Sequence, residues 1–256
     1  MNEIALEATG IKKVYTKNGR SLEILDVPSF RVREREFITV IGPSGCGKST
    51  FLHIMGGFIE AQAGSIQIYG KKVDGPGPDR GMMFQEFALF PWRTVAGNVA
   101  WGLEAQGVAR ARIDEVVLEQ LDMTGLRDFA HHYPAELSGG MKQRVALARV
   151  LAFDPKVLLM DEPFGALDAQ TREAMQDELM RLWERTHKTI VFVTHDIEEA
   201  VYLGDRVVVL TARPGRIREV VQIDLPRPRT LEVKKSIRCH EYRNYIWDLI
   251  RSESAR

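Results

Sequence analysis

The sequence predicts an α/β fold built on a parallel sheet, and two observations support this prediction. Short, largely apolar runs at residues 36–41, 157–160 and 190–193 are typical of strands that are buried on both faces. From residue 156 onward such runs alternate with helical patterns, as they do when crossover helices join parallel strands. Because open sheets of this class bind ligands at the carboxyl ends of their strands, the residues after each run are the candidate site.

The run at residues 36–41 leads into a glycine-rich segment that predicts a phosphate-binding loop followed by a helix. The segment fits the pattern Gly, four residues, Gly-Lys-Ser, in which backbone N–H groups and the helix N-terminus face phosphate oxygens. Lys48 is expected to reach the terminal phosphates of a nucleotide, and the Ser49 hydroxyl to bind Mg²⁺. Cys46, beside helix-end N–H groups, is expected to form a thiolate that maleimide labels and that bound nucleotide protects. The nucleotide-binding residues predicted here are Gly42, Pro43, Ser44, Gly45, Cys46, Gly47, Lys48, Ser49 and Thr50.

A second motif, Leu-Ser-Gly-Gly-Met-Lys-Gln-Arg at residues 137–144, is by itself a capped helix start with Ser138 as the N-cap. Together with the phosphate loop it resembles the signature of the ATP-binding cassette (ABC) ATPases, and the resemblance extends over residues 4–225. It implies a P-loop NTPase core, namely a parallel sheet with crossover helices, together with an N-terminal antiparallel β subdomain and a helical insert. It also implies that Ser138, Gly139 and Gly140 contact ATP held by a second copy of the chain.

Acidic residues at the end of the run at 157–160 supply the predicted chemistry. Asp161 is expected to hold Mg²⁺, directly or through water, and Glu162 to activate the attacking water as general base. Residues 165–168, Gly-Ala-Leu-Asp, match the D-loop of the ABC ATPases, which favours this interpretation over a plain acidic loop. Asp196, with Glu199 three residues later, also fits a capping box, so a purely structural role for Asp196 stays open.

Three further residues take their predicted roles from the resemblance alone. His195 matches the histidine that contacts the terminal phosphate, and Gln85 matches the glutamine that lies near Mg²⁺ and the attacking water. Tyr15 matches the aromatic residue that stacks on adenine, and a half-buried strand tyrosine is the alternative. The predicted catalytic residues are therefore Glu162, His195, Gln85 and Lys48, and the predicted metal ligands are Ser49, Gln85 and Asp161.

The chain is expected to form one ABC ATPase domain over residues 1–225 and a C-terminal extension over residues 226–256. Residues 1–87 and 156–225 are assigned to the lobe that contains the sheets, and Asn18-Gly19 predicts a hairpin turn within it. Residues 88–155, where apolar residues recur at helical spacing, are assigned to a helical insert that ends in the signature. Within the extension, residues 231–251 predict one terminal helix.

Composition argues against several classes of protein. The 256 residues contain 35 Lys and Arg and 35 Asp and Glu, so no overall basic charge indicates a nucleic-acid partner. The basic stretch after residue 212 is interpreted as a solvated face, with contact to anionic headgroups as the alternative. Two cysteines suit a reducing compartment, and we expect neither a signal peptide nor a membrane span. The expected location is peripheral, at the cytoplasmic face of the inner (plasma) membrane.

Two segments resemble import-type ABC ATPases in particular. Residues 87–95 look like the region that contacts a transmembrane permease, and the alternative is that their aromatic side chains fill the core between the lobes. Residues 210–217 and 224–229 resemble the nitrate/sulfonate/taurine importers.

The resemblance implies a dimeric ATPase that depends on ATP and Mg²⁺ and drives uptake of a small solute through a permease. A separate solute-binding protein delivers the solute to that permease. The alternative is a non-transport ABC ATPase acting on nucleic acid or ribosomes. Met141 and Arg35 depart from the usual Gln and Gly of the family.

Overall fold

The computed structural model describes residues 3–17 and 19–254. The strands are Ile4–Lys17 (β1), Arg20–Arg33 (β2), Phe37–Ile41 (β3), Ala63–Ile68 (β4), Lys71–Lys72 (β5), Arg80–Met83 (β6), Val157–Asp161 (β7), Thr189–Val193 (β8), Arg206–Leu210 (β9) and Ile217–Gln222 (β10). The helices are Lys48–Gly56 (α1), Val95–Ala105 (α2), Arg110–Met123 (α3), Gly139–Leu151 (α4), Ala169–Thr186 (α5), Ile197–Leu203 (α6), Leu231–Lys234 (α7) and Ile237–Ser254 (α8).

The strands form two sheets. The larger sheet has the order β10-β9-β3-β8-β7-β6, in which the strands from β9 to β6 run parallel and β10 pairs antiparallel at one edge. The smaller sheet, β2-β1-β4-β5, is antiparallel throughout. The predicted combination of a parallel sheet with crossover helices and an N-terminal antiparallel β unit is thereby confirmed. Asn18, of the predicted hairpin turn, lies outside the described residues, although the strands on its two sides pair antiparallel.

Helices cover both faces of the parallel sheet, which is why its central strands are largely apolar. Every residue of β3, β7 and β8 is buried. Alternate residues of β7 face opposite layers: Leu159 packs in the cluster that contains α1 residues, and Leu158 in the cluster that contains α5 residues. Because β3, β8 and β7 are neighbours and parallel, their carboxyl ends meet at one edge of the sheet.

The helices α2, α3 and α4 pack on one another around an apolar cluster of their own, in which Val99, Val117 and Val145 take part. Side chains start two of these helices, since Thr94 Oγ1 accepts from the Gly97 N–H at 3.1 Å and Ser138 Oγ from the Met141 N–H at 3.3 Å. The division of the chain into a sheet lobe, an insert and an extension stays a prediction.

The prediction of one helix over residues 231–251 was wrong. The chain forms two helices there because the Ser236 hydroxyl accepts the N–H of Cys239 at 3.2 Å and starts α8 afresh. Cys239 and Ile246 of α8 are buried against α6 and β9. Before α7, the buried Arg229 donates from Nη1 to the carbonyl oxygens of Val201, Tyr202 and Gly204 at 2.7–2.8 Å, which closes the carboxyl end of α6.

The turn between β2 and β3 explains one departure from the family pattern. Arg35 has a φ of 62°, in the left-handed region that glycine adopts without penalty and other residues adopt at roughly 1 kcal/mol. Its N–H donates to Thr189 Oγ1 at 3.0 Å, which ties the turn to β8. Within residues 3–17 and 19–254, no helix has both the length and the apolar composition needed to cross a membrane.

Candidate nucleotide-binding site

Two of the three predicted metal ligands, Ser49 and Asp161, lie in contact. Ser49, in the first turn of α1, donates its hydroxyl to Asp161 Oδ1 at 2.8 Å. Asp161 ends β7 and is buried, and its other oxygen lies 3.3 Å from His53 Nε2. No motif in the sequence pointed to His53, which lies one helical turn beyond Ser49. The hydroxyl and the carboxylate are hard oxygen donors of the kind that Mg²⁺ prefers.

The loop after β3 has the backbone of an anion cradle. Gly45 and Gly47 have φ values of 73° and 101°, and a Cβ at Gly47 would come within 2.9 Å of the side chains beneath it. The Lys48 ammonium curls over this loop, donating to the carbonyl oxygens of Gly42 at 2.9 Å and Pro43 at 3.2 Å. The loop therefore requires glycine at residue 47 and brings a cation to its centre.

Glu162 and His195, from the ends of β7 and β8, form a hydrogen bond between Glu162 Oε2 and His195 Nδ1 at 2.8 Å. Glu162 has a φ of 44°, and its N–H donates to the carbonyl oxygen of Val193 at 2.9 Å. This left-handed backbone redirects the chain as it leaves the strand. The carboxylate thereby lies beside the phosphate loop, and the imidazole lies next to the carboxylate.

A cleft of about 330 Å³ is lined by both the phosphate loop and Glu162. Tyr15, which is 43% exposed, lies on its wall, so its ring is available for stacking. The sequence analysis missed Ile24, an apolar wall residue whose position depends on strand pairing across the smaller sheet. The cleft is lined by Tyr15, Ile24, Ser44, Gly45, Gly47, Lys48, Ser49, Thr50 and Glu162.

Gln85 and the signature residues lie away from this cleft. The side chain of Gln85 is exposed beside Gly165, in a groove of about 810 Å³ that also contacts Pro91 and Lys142. Ser138, Gly139 and Gly140 begin α4 and face the start of α5, where a Cβ on Gly140 would approach Thr171 to 2.8 Å. The signature thus lies outside the cleft that Lys48 and Glu162 line in the same chain.

The expectation of a reactive Cys46 thiolate was wrong. Its side chain is only 1% exposed and packs in the apolar cluster beneath the loop. Burial raises the pKa of the Cys46 thiol and outweighs the opposing charges of Lys48 and Arg213. The loop turns Sγ inward, toward Gly42, rather than toward the cleft.

The pair Asp196 and Glu199 forms only half of the predicted capping box. Asp196 Oδ1 accepts the Glu199 N–H at 3.1 Å and starts α6, so Asp196 has the structural role. The Glu199 carboxylate turns inward instead, where it accepts from Thr194 Oγ1 and from Gln176 Nε2. Burial raises the pKa of Glu199 above its usual range.

Comparison with known proteins identifies the family. Residues 25–165 match the family model described as ABC transporter. The chain is also 50% identical, over 98% of its length and 93% of the relative, to an uncharacterised ABC transporter ATP-binding protein of Methanocaldococcus jannaschii. The chain belongs to the ABC transporter family.

Other relatives of this ABC chain carry more specific names. It is 44% identical to the nitrate import ATP-binding protein of Synechocystis sp., over 96% of this chain and 95% of the relative. It is 49% identical to the taurine import ATP-binding protein of Rhizobium johnstonii, over 82% of this chain and 80% of the relative. Among solved structures, a dimeric ATP-binding cassette bound to ADP and Pi superimposes with a TM-score of 0.75, at 33% identity, over 85% of this chain and 98% of that one.

The segment after Gln85 of this ABC protein divides between core and surface. Phe87 and Leu89 pack against the buried clusters, whereas Trp92 is 72% exposed. Two buried or half-buried side chains hold the segment: Arg149 donates to the carbonyl oxygens of residues 87 and 88, and Asn98 donates to those of residues 90, 93 and 94. The sequence analysis missed both, because their partners are carbonyl groups that any residue supplies.

Proposed function

We propose that this chain is the ATP-hydrolysing subunit of an ABC importer, and that the cleft between Lys48 and Glu162 is its catalytic site. The observation that carries the proposal is the meeting of three strand ends. A phosphate loop, the Ser49–Asp161 contact and the Glu162–His195 contact lie at the carboxyl edge of β3, β7 and β8. These two contacts are formed by different residue pairs, and together with the phosphate loop they suit a single ligand, Mg·ATP.

Each group has a chemical task in the proposed reaction. Lys48 leaves its two carbonyl partners for the terminal phosphates of ATP, and Tyr15 stacks on adenine. Ser49 and Asp161 would hold Mg²⁺, which would neutralise negative charge on the phosphates of ATP. Glu162 takes a proton from the water that attacks the γ-phosphorus as the bond to ADP breaks. His195, held by its hydrogen bond to Glu162, would lie in contact with the γ-phosphate.

Two copies are proposed to complete each site. Within one chain, Ser138, Gly139 and Gly140 form an exposed helix N-terminus outside the cleft. Such a terminus is suited to binding the phosphates of ATP held by a partner copy. The similarity to a dimeric cassette supports this arrangement.

The proposed partners are transmembrane permease subunits, with a solute-binding protein acting through them, and no nucleic acid. The names of the relatives support an importer over the alternative of a cassette that acts on nucleic acid or ribosomes. They also favour a small anion of the nitrate, sulfonate or taurine type as the solute. The location that follows is peripheral, at the cytoplasmic face of the inner membrane.

The catalytic assignment is tested by Glu162→Gln, which keeps the shape of the side chain and removes its basicity. ATP binding should persist while turnover falls by roughly 10²–10⁴, the contribution of a positioned general base. Glu119→Gln, an exposed carboxylate on α3, serves as the matched control and should keep full turnover. Turnover near the wild-type rate in the Glu162→Gln protein would refute the role of Glu162.

The dimer is tested in the Glu162→Gln background by size-exclusion chromatography. ATP should produce a dimer and ADP a monomer, and adding Ser138→Arg should abolish the ATP-dependent dimer by placing a bulky cation at the helix N-terminus. A dimer that forms equally with either nucleotide, or that survives Ser138→Arg, would contradict the shared site.

The partners and the solute are tested by purifying the tagged chain from membranes and identifying its co-purifying permease and binding protein. The reconstituted complex is then assayed for ATPase stimulation by binding protein loaded with nitrate, taurine or an aliphatic sulfonate. Stimulation by one of these anions supports the solute class. ATP hydrolysis without stimulation by any of them would leave the ATPase intact and refute the solute class.

A further inference from the structure

The loop at residues 211–216, between β9 and β10, packs against the phosphate loop. Its sequence, Thr-Ala-Arg-Pro-Gly-Arg, resembles the importer subfamily, and no step of the proposed reaction uses it. The loop is held internally by Thr211, whose hydroxyl donates to the Pro214 carbonyl oxygen at 2.9 Å and accepts the Arg216 N–H at 3.0 Å. It is therefore a folded element with a defined shape.

Gly215 fixes this loop between the two sheets. Its N–H donates to the Ile24 carbonyl oxygen at 2.8 Å, and its carbonyl oxygen accepts the Asp26 N–H at 3.1 Å. A Cβ at residue 215 would collide with the carbonyl oxygen of Cys46. The close approach of the two backbones explains why glycine occupies this position, and it brings the preceding arginine to the phosphate loop.

Arg213 makes that contact. Its Nη2 and Nε donate to the carbonyl oxygen of Gly45 at 3.2 and 3.3 Å. In a trans peptide the carbonyl and the next N–H point in opposite directions. The Cys46 N–H accordingly points to the other side, where it meets the Pro43 carbonyl oxygen, one of the two acceptors that also hold the Lys48 ammonium. The guanidinium thus fixes the orientation of one peptide unit of the phosphate loop from outside the cleft.

The other end of this connection lies in the last turns of α8. The buried Glu253 accepts the Ala212 N–H at 3.4 Å and pairs with Arg218 of β10 at 2.6 Å. Arg218 also donates to the Leu249 carbonyl oxygen at 2.7 Å. A continuous set of contacts therefore runs from α8 through Ala212 and Arg213 to Gly45.

We infer that Arg213 is a positioning residue for nucleotide binding, and that Glu253 of the C-terminal helix sets its place. Arg213 orients the peptide between Gly45 and Cys46 so that the phosphate loop is preformed for anion binding. The inference rests on the proposed function, because it assigns Arg213 and Glu253 to the same ATP site. It also gives the importer-like sequence at residues 211–216 a role in handling ATP rather than in choosing the solute.

The test compares Arg213→Ala with Arg213→Lys and with Arg238→Ala. Arg238 is the matched control, since it is likewise exposed and bonds through its guanidinium, to Asp224 and away from the phosphate loop. For Arg213→Ala, KM for ATP and the dissociation constant for Mg·ADP should rise about five-fold, with kcat within about two-fold of wild type and the melting temperature unchanged. A five-fold change is smaller than a buried charge-assisted hydrogen bond usually gives, because solvent competes for the guanidinium at this exposed site.

Arg213→Lys should recover part of the loss, because an ammonium can make one of the two bonds. Glu253→Gln should also raise KM for ATP, by a smaller factor than Arg213→Ala. An unchanged KM in Arg213→Ala, or a fall in kcat and melting temperature together, would overturn the inference. Wild-type protein that binds ADP without hydrolysing ATP would instead refute the proposed function, and the ADP dissociation constants would still decide the role of Arg213.

Discussion

Replacing Trp92 by serine separates docking to a membrane partner from folding of the subunit. Trp92 packs against Phe90, with ring centroids 5.7 Å apart and the ring planes tilted by 48°, and is 72% exposed. Only about 60 Å² of a side chain of roughly 200–250 Å² is then withdrawn from water within the chain, which limits the loss of folding stability to about 1–2 kcal/mol. The exposed remainder, about 150–180 Å², is worth about 4 kcal/mol when a partner covers it, at roughly 25 cal/mol per Å².

Three measurements distinguish the two contributions: the melting temperature, the basal ATPase rate and the ATPase rate stimulated by permease with loaded binding protein. Trp92→Ser should keep the first two and lose most of the third. Trp247→Ser, at a tryptophan of α8 that is 57% exposed, is the control and should keep all three. The reasoning is refuted if Trp92→Ser unfolds the isolated subunit, or if its stimulated rate equals that of the wild type.

Three further substitutions or treatments test features of the core. Arg229→Met should lower the free energy of unfolding in urea by about 2–4 kcal/mol, because three carbonyl groups lose their hydrogen-bond donor. The loss is partly offset, because the variant no longer buries the guanidinium whose pKa burial lowers to about 10. A loss below about 1 kcal/mol, as expected for Arg238→Met, would contradict this. Glu199→Gln should change the pH dependence of stability: burial raises the wild-type pKa above 4.5, so the wild type loses stability as pH rises from there through the folded pKa, and the variant does not. The free energy of unfolding is measured by urea titration from pH 4.5 to 7, and an equal dependence of this free energy on pH in both proteins would count against the prediction. Cys46 should resist maleimide in the folded chain with or without ATP and react on unfolding, whereas rapid labelling of the native protein would show that the thiol is accessible.

The parallel sheet was predictable because its determinants are local. The apolar runs that became β3, β7 and β8 are buried in full, and few structures other than a covered parallel strand make such a run. The phosphate loop and the Asp161–Glu162 pair followed for the same reason, since a strand end fixes where the next residues lie. The contact between Ser49 and Asp161, 112 residues apart, follows from the order of the strands.

The features that the sequence did not reveal depend on where a side chain points after the chain has turned. Cys46 lies in a loop whose neighbours face the cleft, but its own position in the turn directs it to the core. Glu199 has the spacing of a capping box, yet Thr194 and Gln176 offer its carboxylate partners that no spacing rule includes. The contact between Arg213 and Gly45 joins residues 168 positions apart, in loops that follow the neighbouring parallel strands β9 and β3, and the sequence does not show that these two strands pair.

The backbone of Glu162 has a consequence for selection. A residue with a side chain pays about 1 kcal/mol or more to adopt its φ of 44°, and glycine or asparagine adopts it more readily. A library of variants screened only for heat resistance should therefore drift toward glycine or asparagine at this position. Such a screen would reward the loss of the carboxylate on which hydrolysis is proposed to depend. Selection of variants for thermal stability alone, without an assay of ATP turnover, thus favours protein that does not hydrolyse ATP.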